Sequence, residues 1–196
     1  MTRKLVAASP RSGVEIDGIA MNIVKKFQPE ALKEPMPFDI ERFFECEMEK
    51  ITGVKSDYKK LPPEIYGYTD SRAMESVISS DLMDDSFQVL FARSTMSHET
   101  GHSLIHVPEF RRKRAILKSI HDDCHSDALR MYRETEIPVY MNPEWQAWRF
   151  AGALLMPRSA IEIGINRGGG VQDLSRWFQV NPAFIRTRLK ALKIEL

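Results

Sequence analysis

The segment SHETGH, residues 97–102, places two histidines and a glutamate where they could share one chemical task. If the segment is helical, His98 and His102 are one turn apart and present their imidazoles to a common point. Zinc accepts imidazole nitrogens at about 2.0–2.1 Å, so two such nitrogens form half of a tetrahedral site. Glu99 lies beside the first histidine, where its carboxylate can take a proton from a water bound to the metal. The pattern is H-E-x-x-H, which is typical of zinc-dependent proteases.

The alternative is a polar helix that carries two histidines by coincidence. Gly101 argues against this interpretation, because glycine inside a helix costs about 1 kcal/mol relative to alanine. A glycine at this position therefore predicts a close approach, either by a neighbouring helix or by the metal itself.

A catalytic site needs a third protein ligand and an open fourth position. His106 continues the same helix face but lies two turns from His98, about 12 Å along the axis, so we expect it to support the site or the core. The better candidate is Glu144, since Asn142 suits a helix N-cap and Pro143 the first helical position. The helix dipole there favours the carboxylate form that a ligand needs. From these residues alone, a surface carboxylate that only complements the dipole remains an equal alternative.

The rest of the chain predicts an α+β fold, a small and mainly antiparallel sheet covered by helices. The stretch 61–91 reads as short strands separated by polar turns, including EIYGYTD, ESVISS and FQVLFA. Asp39 suits an N-cap, and Phe38 and Phe43 suit a hydrophobic staple around it. Apolar periodicity predicts helices over residues 14–32, 39–50, 94 to a break at Pro108, 112–133 (weakly), 143–156, 171–179 and 182–192.

Length and composition suit one compact domain, or one domain with a small appendage. The chain has 196 residues and a formal net charge of +1, so no global field demands a nucleic acid or a membrane surface. Neither a signal-peptide core nor a bilayer-spanning run is visible, and Cys46 and Cys124 lack metal or redox spacing. We expect a cytoplasmic protein with a flexible leader at 1–12, a main domain at 13–168 and a helical pair at 169–196.

Three polar segments have a simpler interpretation than a functional one. HDDCHSD, residues 121–127, places His121 and His125 four apart, but a solvated face is favoured over a second metal site. RRKR, residues 111–114, is typical of an exposed charge run. The C-terminal pair resembles a helix-turn-helix, yet its apolar face favours packing, with docking of a partner protein next and direct DNA binding last.

The sequence resembles the ImmA/IrrE metallopeptidases, bacterial and phage proteins associated with the removal of repressors. Three blocks carry the resemblance, RSTMSHETGHSLIH, EWQAWRFAGALLMP and DLSRWFQVNPAFIRTRL. PMPFDIERFFE and GYTD also fall where the family has comparable segments, so the resemblance covers about residues 14–195. Thr100 and Trp148 depart from the family pattern, and the stretch from 109 to 140 is longer than in compact members.

The resemblance implies a zincin-like domain that binds one Zn²⁺ per chain. It implies His98, His102 and Glu144 as the metal ligands and Glu99 as the catalytic base. The implied substrate is a helix-turn-helix repressor, held by backbone hydrogen bonds to an edge strand before the metal helix, for which FQVLFA is the candidate.

Two questions stay open in the sequence. The residue that stabilises the oxyanion is not identified, with Tyr66, Tyr68, Tyr140 and His106 as candidates. The alternative function is a non-catalytic, zinc-containing regulatory module that binds a partner protein. Glu99 favours the enzyme, because a purely structural metal site does not need a carboxylate beside the water position.

Overall fold

Short strands form two small sheets in residues 3–120 and 129–196, the part of the chain that this computed structural model describes. In chain order the strands are Lys4–Val6 (β1), Lys55–Lys59 (β2), Gly67–Asp70 (β3), Glu75–Ser79 (β4) and Met131–Arg133 (β5). One sheet has the order β2–β4–β3, in which β2 runs parallel to β4 and β3 runs antiparallel to it. The other is the antiparallel pair β1 and β5.

Helices cover the sheets and make the fold class α+β, as predicted. They are Gly13–Phe27 (α1), Ile40–Arg42 (α2), Met48–Thr52 (α3), Ser80–Asp84 (α4), Val89–Gly101 (α5), Val107–Ile120 (α6), Pro143–Leu155 (α7), Arg158–Asn166 (α8), Val171–Phe178 (α9) and Pro182–Leu192 (α10). A π-helical turn, Phe43–Glu47, joins α2 to α3, and short 3₁₀ turns lie at Pro29–Leu32, Glu134–Glu136 and Val139–Met141.

The start of α2 confirms the predicted cap. The Asp39 carboxylate accepts a hydrogen bond from the Arg42 backbone N–H at 3.1 Å. The rings of Phe38 and Phe43 lie 6.0 Å apart across this cap, as a hydrophobic staple requires. Both rings are buried, so the staple also anchors the helical segment in the core.

Helices α5 and α6 form one continuous helical segment through the metal motif, joined by a π-helical turn at His102–His106. The prediction that Pro108 ends this helix is therefore wrong. Proline lacks an N–H and crowds the carbonyl four residues earlier. Here the Val107 N–H bonds to the carbonyl of His102, five residues back, and this wider turn accommodates the proline. Such π turns are frequent at functional sites.

The predicted strand FQVLFA, residues 87–92, is also wrong, because α5 begins at Val89. The Asp85 carboxylate accepts the Phe87 N–H at 2.9 Å and closes a turn that directs the chain into the helix. The periodicity of a short apolar run does not separate a strand from a buried helix. Strand β2 was not predicted at all. Its sequence, KSDYK, is polar, so it lacks the apolar signal by which a strand is recognised.

Residues 4–12 do not form the flexible leader that the sequence predicts. Strand β1 pairs with β5, and Leu5, the central residue of β1, is buried. Further along, the Ser9 N–H and the Arg11 guanidinium bind the carboxylate of Glu109 at 2.6 and 2.8 Å. These long-range bonds tie the segment to α6, which neither composition nor periodicity reveals.

The C-terminal pair α9 and α10 shares one apolar core with the rest of the chain. Asp17 of α1 joins three helices, because its carboxylate binds Arg149 of α7 at 2.6 Å and Arg188 of α10 at 3.0 Å. Arg188 is 3% exposed, so its charge serves this contact and not a nucleic acid. The pair is thus held both by apolar packing and by a partly buried ionic junction.

The two remaining polar segments differ in whether the structure describes them. RRKR lies in α6, where Arg111 and Arg112 are exposed and Lys113 binds Glu109 at 2.6 Å. HDDCHSD, residues 121–127, lies outside the described residues.

Among residues 3–120 and 129–196, no helix combines the length and the apolar character that crossing a membrane requires.

Candidate metal centre

Helix α5 delivers the two histidines as the sequence predicts. His98 lies in its last turn and His102 begins the π turn that follows. Their Nε2 atoms are 3.1 Å apart. Both rings are largely withdrawn from solvent, with side-chain exposures of 8% and 15%. Burial lowers the pKa of His102 well below its ordinary value, so the ring is neutral and able to offer a lone pair.

Glu144 faces these two rings from the first turn of α7. The Asn142 side chain caps that helix, accepting the N–H groups of Glu144 at 2.9 Å and Trp145 at 3.3 Å. One carboxylate oxygen of Glu144 lies 3.5 Å from Nε2 of His98, and the other lies 3.5 Å from Nε2 of His102. Burial opposes its ionisation, but the hydrogen bond and charge of His98 outweigh burial and lower the pKa of Glu144.

The three ligand atoms fit the requirements of a small divalent ion. In a tetrahedron with metal–ligand bonds of about 2.0–2.1 Å, neighbouring ligand atoms are about 3.3–3.4 Å apart. The two imidazole nitrogens are 3.1 Å apart, and each lies 3.5 Å from a different oxygen of the Glu144 carboxylate, with one ligand atom from each residue within 4.8 Å of the others. His98, His102 and Glu144 can therefore hold a metal ion.

Gly101 explains how two helices bring these ligands together. A Cβ atom at this position would lie 3.1 Å from a ring carbon of Phe150 and 3.2 Å from the backbone of Ala147, both on α7. Of the two causes of close approach considered for this glycine, the structure thus shows the neighbouring helix. The absent side chain lets α7 approach α5 closely enough for its first turn to reach the histidines.

Glu99 is a buried carboxylate on the same helix, 6% exposed. Its Oε2 accepts a hydrogen bond from the hydroxyl of Thr69 on β3 at 2.7 Å. That hydroxyl has one proton, so the Ser76 hydroxyl, 3.0 Å from it, must donate in turn. Burial raises the pKa of Glu99, while the charge of His98 and the bond from Thr69 act against the rise. The carboxylate therefore holds a proton more tightly than a solvent-exposed glutamate does.

His106 lies behind the ligand group. Its Nδ1 is 3.1 Å from Nδ1 of His102, and its Nε2 is 3.1 Å from the side-chain oxygen of Gln146. Burial lowers the pKa of His106 to about 4. The ring contacts the rear nitrogen of a ligand, which agrees with the expected supporting position.

Two further side chains adjoin the ligands and were not among the predicted site residues. The guanidinium of Arg3, just before β1, lies 3.2 Å from a carboxylate oxygen of Glu144. The Trp148 ring packs on His98 with centroids 4.3 Å apart and also meets Phe184 of α10. A cleft of about 500 Å³ opens between α7 and α10 beside this tryptophan. Arg3 reaches the site only through the tertiary fold, whereas Trp148 lies one helical turn after Glu144 on α7, where helical periodicity places it on the same face.

The tyrosines considered for oxyanion stabilisation have other contacts. Tyr68 donates its hydroxyl to Glu75 at 2.7 Å, and the ring of Tyr66 packs edge-on against Phe91. Tyr140 lies in the 3₁₀ turn before α7 and is 49% exposed. None of these contacts identifies the residue that would stabilise the oxyanion.

Comparisons with known proteins establish the fold and no family. No family model and no curated protein matches the chain. Among solved structures it is similar to a Mycobacterium tuberculosis transcriptional regulator, with a TM-score of 0.57 and 16% sequence identity. The similarity covers 90% of this chain and 47% of that one, so the chain spans about half the length of its structural neighbour. At this identity the likeness concerns the fold alone.

Proposed function

We propose that the chain is a zinc-dependent endopeptidase that hydrolyses a peptide bond in a protein substrate. The observation that carries the proposal is the buried carboxylate of Glu99 beside three converging ligand side chains. Three protein ligands leave one position open, which distinguishes catalytic from structural zinc sites. The two imidazoles and one carboxylate are also a ligand set that zinc peptidases use.

Each residue of the site has a defined part in the proposed reaction. His98, His102 and Glu144 would hold the zinc ion, which supplies Lewis acidity to polarise the scissile carbonyl and to acidify the attacking water. Glu99 would accept the proton of that water on its carboxylate and deliver it to the departing amine nitrogen. The hydrogen bond from Thr69 orients the carboxylate for both steps.

Strand β3 is the element best placed to hold an extended substrate. Within the described residues it pairs with β4 alone, so its other edge retains unpaired backbone groups. Its residues lie against the catalytic base, since Thr69 bonds to Glu99 and a Cβ at Gly67 would lie 3.1 Å from that side chain. A peptide added to this edge would pass beside Glu99. This assignment replaces FQVLFA as the proposed substrate strand.

The proposed substrate is a helix-turn-helix repressor, an expectation that comes from the family resemblance. A peptide that adds to a strand must be extended, so the cut should fall in a loop or in a helix that unfolds locally. The C-terminal pair remains a candidate for docking the repressor. Its shared core and the Asp17–Arg188 contact mean that surface substitutions on α10, and not deletion of the pair, would test this role.

The decisive experiment separates metal binding from chemistry. Elemental analysis should give about one zinc per chain for the wild type and for Glu99→Gln, and little for His102→Ala or Glu144→Ala. Glu99→Gln should lower peptide cleavage by about 100-fold or more, because an amide cannot accept the water proton. Cleavage should be assayed by co-expression with repressors encoded near the gene.

Two results would contradict the proposal. Full zinc occupancy in Glu144→Ala would show that another residue completes the ligand set. A zinc-loaded wild type that leaves every neighbouring repressor intact under inducing conditions would refute the repressor assignment. If that protein also cleaved no unstructured peptide, the non-catalytic regulatory module would replace the enzyme.

A further inference from the structure

Gln146 is a fully buried amide two residues beyond Glu144, and its neighbours determine its orientation. Its side-chain nitrogen donates to the backbone carbonyls of Ser9 at 2.9 Å and Tyr140 at 2.8 Å. Carbonyl oxygens can only accept, so the NH₂ group must face them. Its Oε1 lies 3.2 Å from the guanidinium of Arg11, which can only donate. Three neighbours therefore agree on which end of the amide is the acceptor.

The position of the Gln146 oxygen then determines the tautomer of His106. Nε2 of His106 lies 3.1 Å from that oxygen and must carry a proton to make the bond. His106 is 1% exposed, and among the described residues its ring nitrogens are hydrogen-bonded to Gln146 and His102 and to no carboxylate, so it is buried as a neutral imidazole. A neutral ring with a proton on Nε2 has a lone pair on Nδ1.

The His106 lone pair in turn determines which nitrogen of His102 carries the proton. The Nδ1 atoms of the two rings are 3.1 Å apart, so His102 must donate from its Nδ1. Its Nε2 is then the unprotonated nitrogen. That atom is the one that faces Nε2 of His98 at 3.1 Å and the Glu144 carboxylate at 3.5 Å.

We propose that Gln146 and His106 form a tautomer relay, positioning residues that hold His102 with its proton on Nδ1 and its Nε2 lone pair aimed at the metal. This inference rests on the proposed metal site, and it names the residues that support the ligand His102. Hydrogen bonds to the rear nitrogen of a ligating histidine both orient the ring and raise its basicity. Here the relay also joins the ligand to the N-terminal segment, because Gln146 binds Ser9 and Arg11.

The other histidine ligand has no such support within the described residues. Nδ1 of His98 is buried without a hydrogen-bond partner there. Its ring is held by packing against Trp148, with centroids 4.3 Å apart. The relay therefore makes His102 the ligand whose metal-binding tautomer is built into the fold before the metal arrives.

Nitrogen-15 NMR of the metal-free protein tests the tautomers directly. Side-chain spectra of the histidines should show His102 protonated on Nδ1 and His106 protonated on Nε2. The signals are assigned with variants that each replace one histidine. Gln146→Leu should abolish the single tautomer of His106. Observation of His102 protonated on Nε2 would overturn the inference, since that nitrogen could not then bind a metal without first losing its proton.

Zinc affinity separates the relay from packing, using two substitutions of His106. His106→Leu keeps much of the volume but removes the acceptor, whereas His106→Asn is smaller but can accept from Nδ1 of His102. The relay predicts a loss of about 10–100-fold in zinc affinity for the leucine variant and a clearly smaller loss for asparagine. Competition with a chromophoric chelator measures both, and urea unfolding of the metal-free proteins reports their packing.

The outcomes distinguish this inference from the proposed metal site. His106 would act only by packing if His106→Leu and His106→Asn bound zinc equally well. The same conclusion would follow if His106→Asn bound zinc more weakly than His106→Leu and were also the less stable protein in urea unfolding. A wild type that binds no zinc would refute the metal site together with the relay. A zinc-binding wild type with the opposite His102 tautomer would refute the relay alone.

Discussion

Replacing Gly101 with alanine tests whether the metal site depends on the close contact between α5 and α7. A Cβ at this position would lie 3.2 Å from both the Cα and the carbonyl oxygen of Ala147 and 3.1 Å from the Phe150 ring. The ring can rotate, but backbone atoms cannot. Helix α7 must therefore shift by a few tenths of an ångström, and it carries Glu144 with it.

The expected magnitude is the difference between two opposing effects. Alanine stabilises a helix interior by about 1 kcal/mol relative to glycine, while overpacking a filled contact costs about 1–3 kcal/mol. The net result should be a loss of about 1 kcal/mol, or about 2–4 °C in melting temperature for a chain of this length. Gly18 is the matched control, because it lies in α1 and a Cβ added there would have no neighbouring atom within 4 Å. Gly18→Ala should stabilise by about 1 kcal/mol.

Two measurements decide the outcome. In urea unfolding of the metal-free proteins, the free energy of unfolding should fall below that of wild type in Gly101→Ala and rise above it in Gly18→Ala. The two variants should therefore differ by about 2 kcal/mol. Chelator competition should show zinc affinity reduced by about tenfold in Gly101→Ala and unchanged in Gly18→Ala, since ligand groups tolerate displacements of only about 0.5 Å. If Gly101→Ala is as stable as the control and binds zinc like wild type, the contact does not position the site.

Three further predictions concern the groups around the site. Bonds from Lys113, Arg11 and Ser9 outweigh burial and lower the pKa of Glu109 from 4.5 to about 2, which corresponds to about 3 kcal/mol of stability. Because this folded-state pKa is depressed, the unfolding free energy of wild type should exceed that of Glu109→Gln above pH 4.5, and the difference should vanish as pH falls towards 2. Thr69→Val removes a bond that lowers the pKa of Glu99, so the acid limb of the pH–rate profile should move to higher pH. Asp17→Ala leaves two largely buried guanidiniums without their carboxylate partner and should destabilise the fold by about 3 kcal/mol in urea unfolding.

Local signals predicted the helices that carry the site. The histidine spacing, the cap at Asn142 and the proline after it depend on contacts within a few residues, and the structure contains each of them. The same reasoning failed at residues 87–92, because a short apolar run fits a strand and a buried helix equally well. It failed again at Pro108, where a π turn removes the steric conflict that normally ends a helix.

The sequence by itself determined which side chains could bind a metal and which helix faces they occupy, because helical periodicity is a local property. Only the tertiary structure decided that Glu144 reaches the two histidines, through the contact that Gly101 permits between α5 and α7. It alone also placed Thr69 on Glu99 and Gln146 behind His106. Such contacts join residues 30 or 40 positions apart, and no spacing rule within one element encodes them. The residue types therefore indicated which side chains could bind a metal, whereas the contacts that support those side chains depend on how separate elements pack.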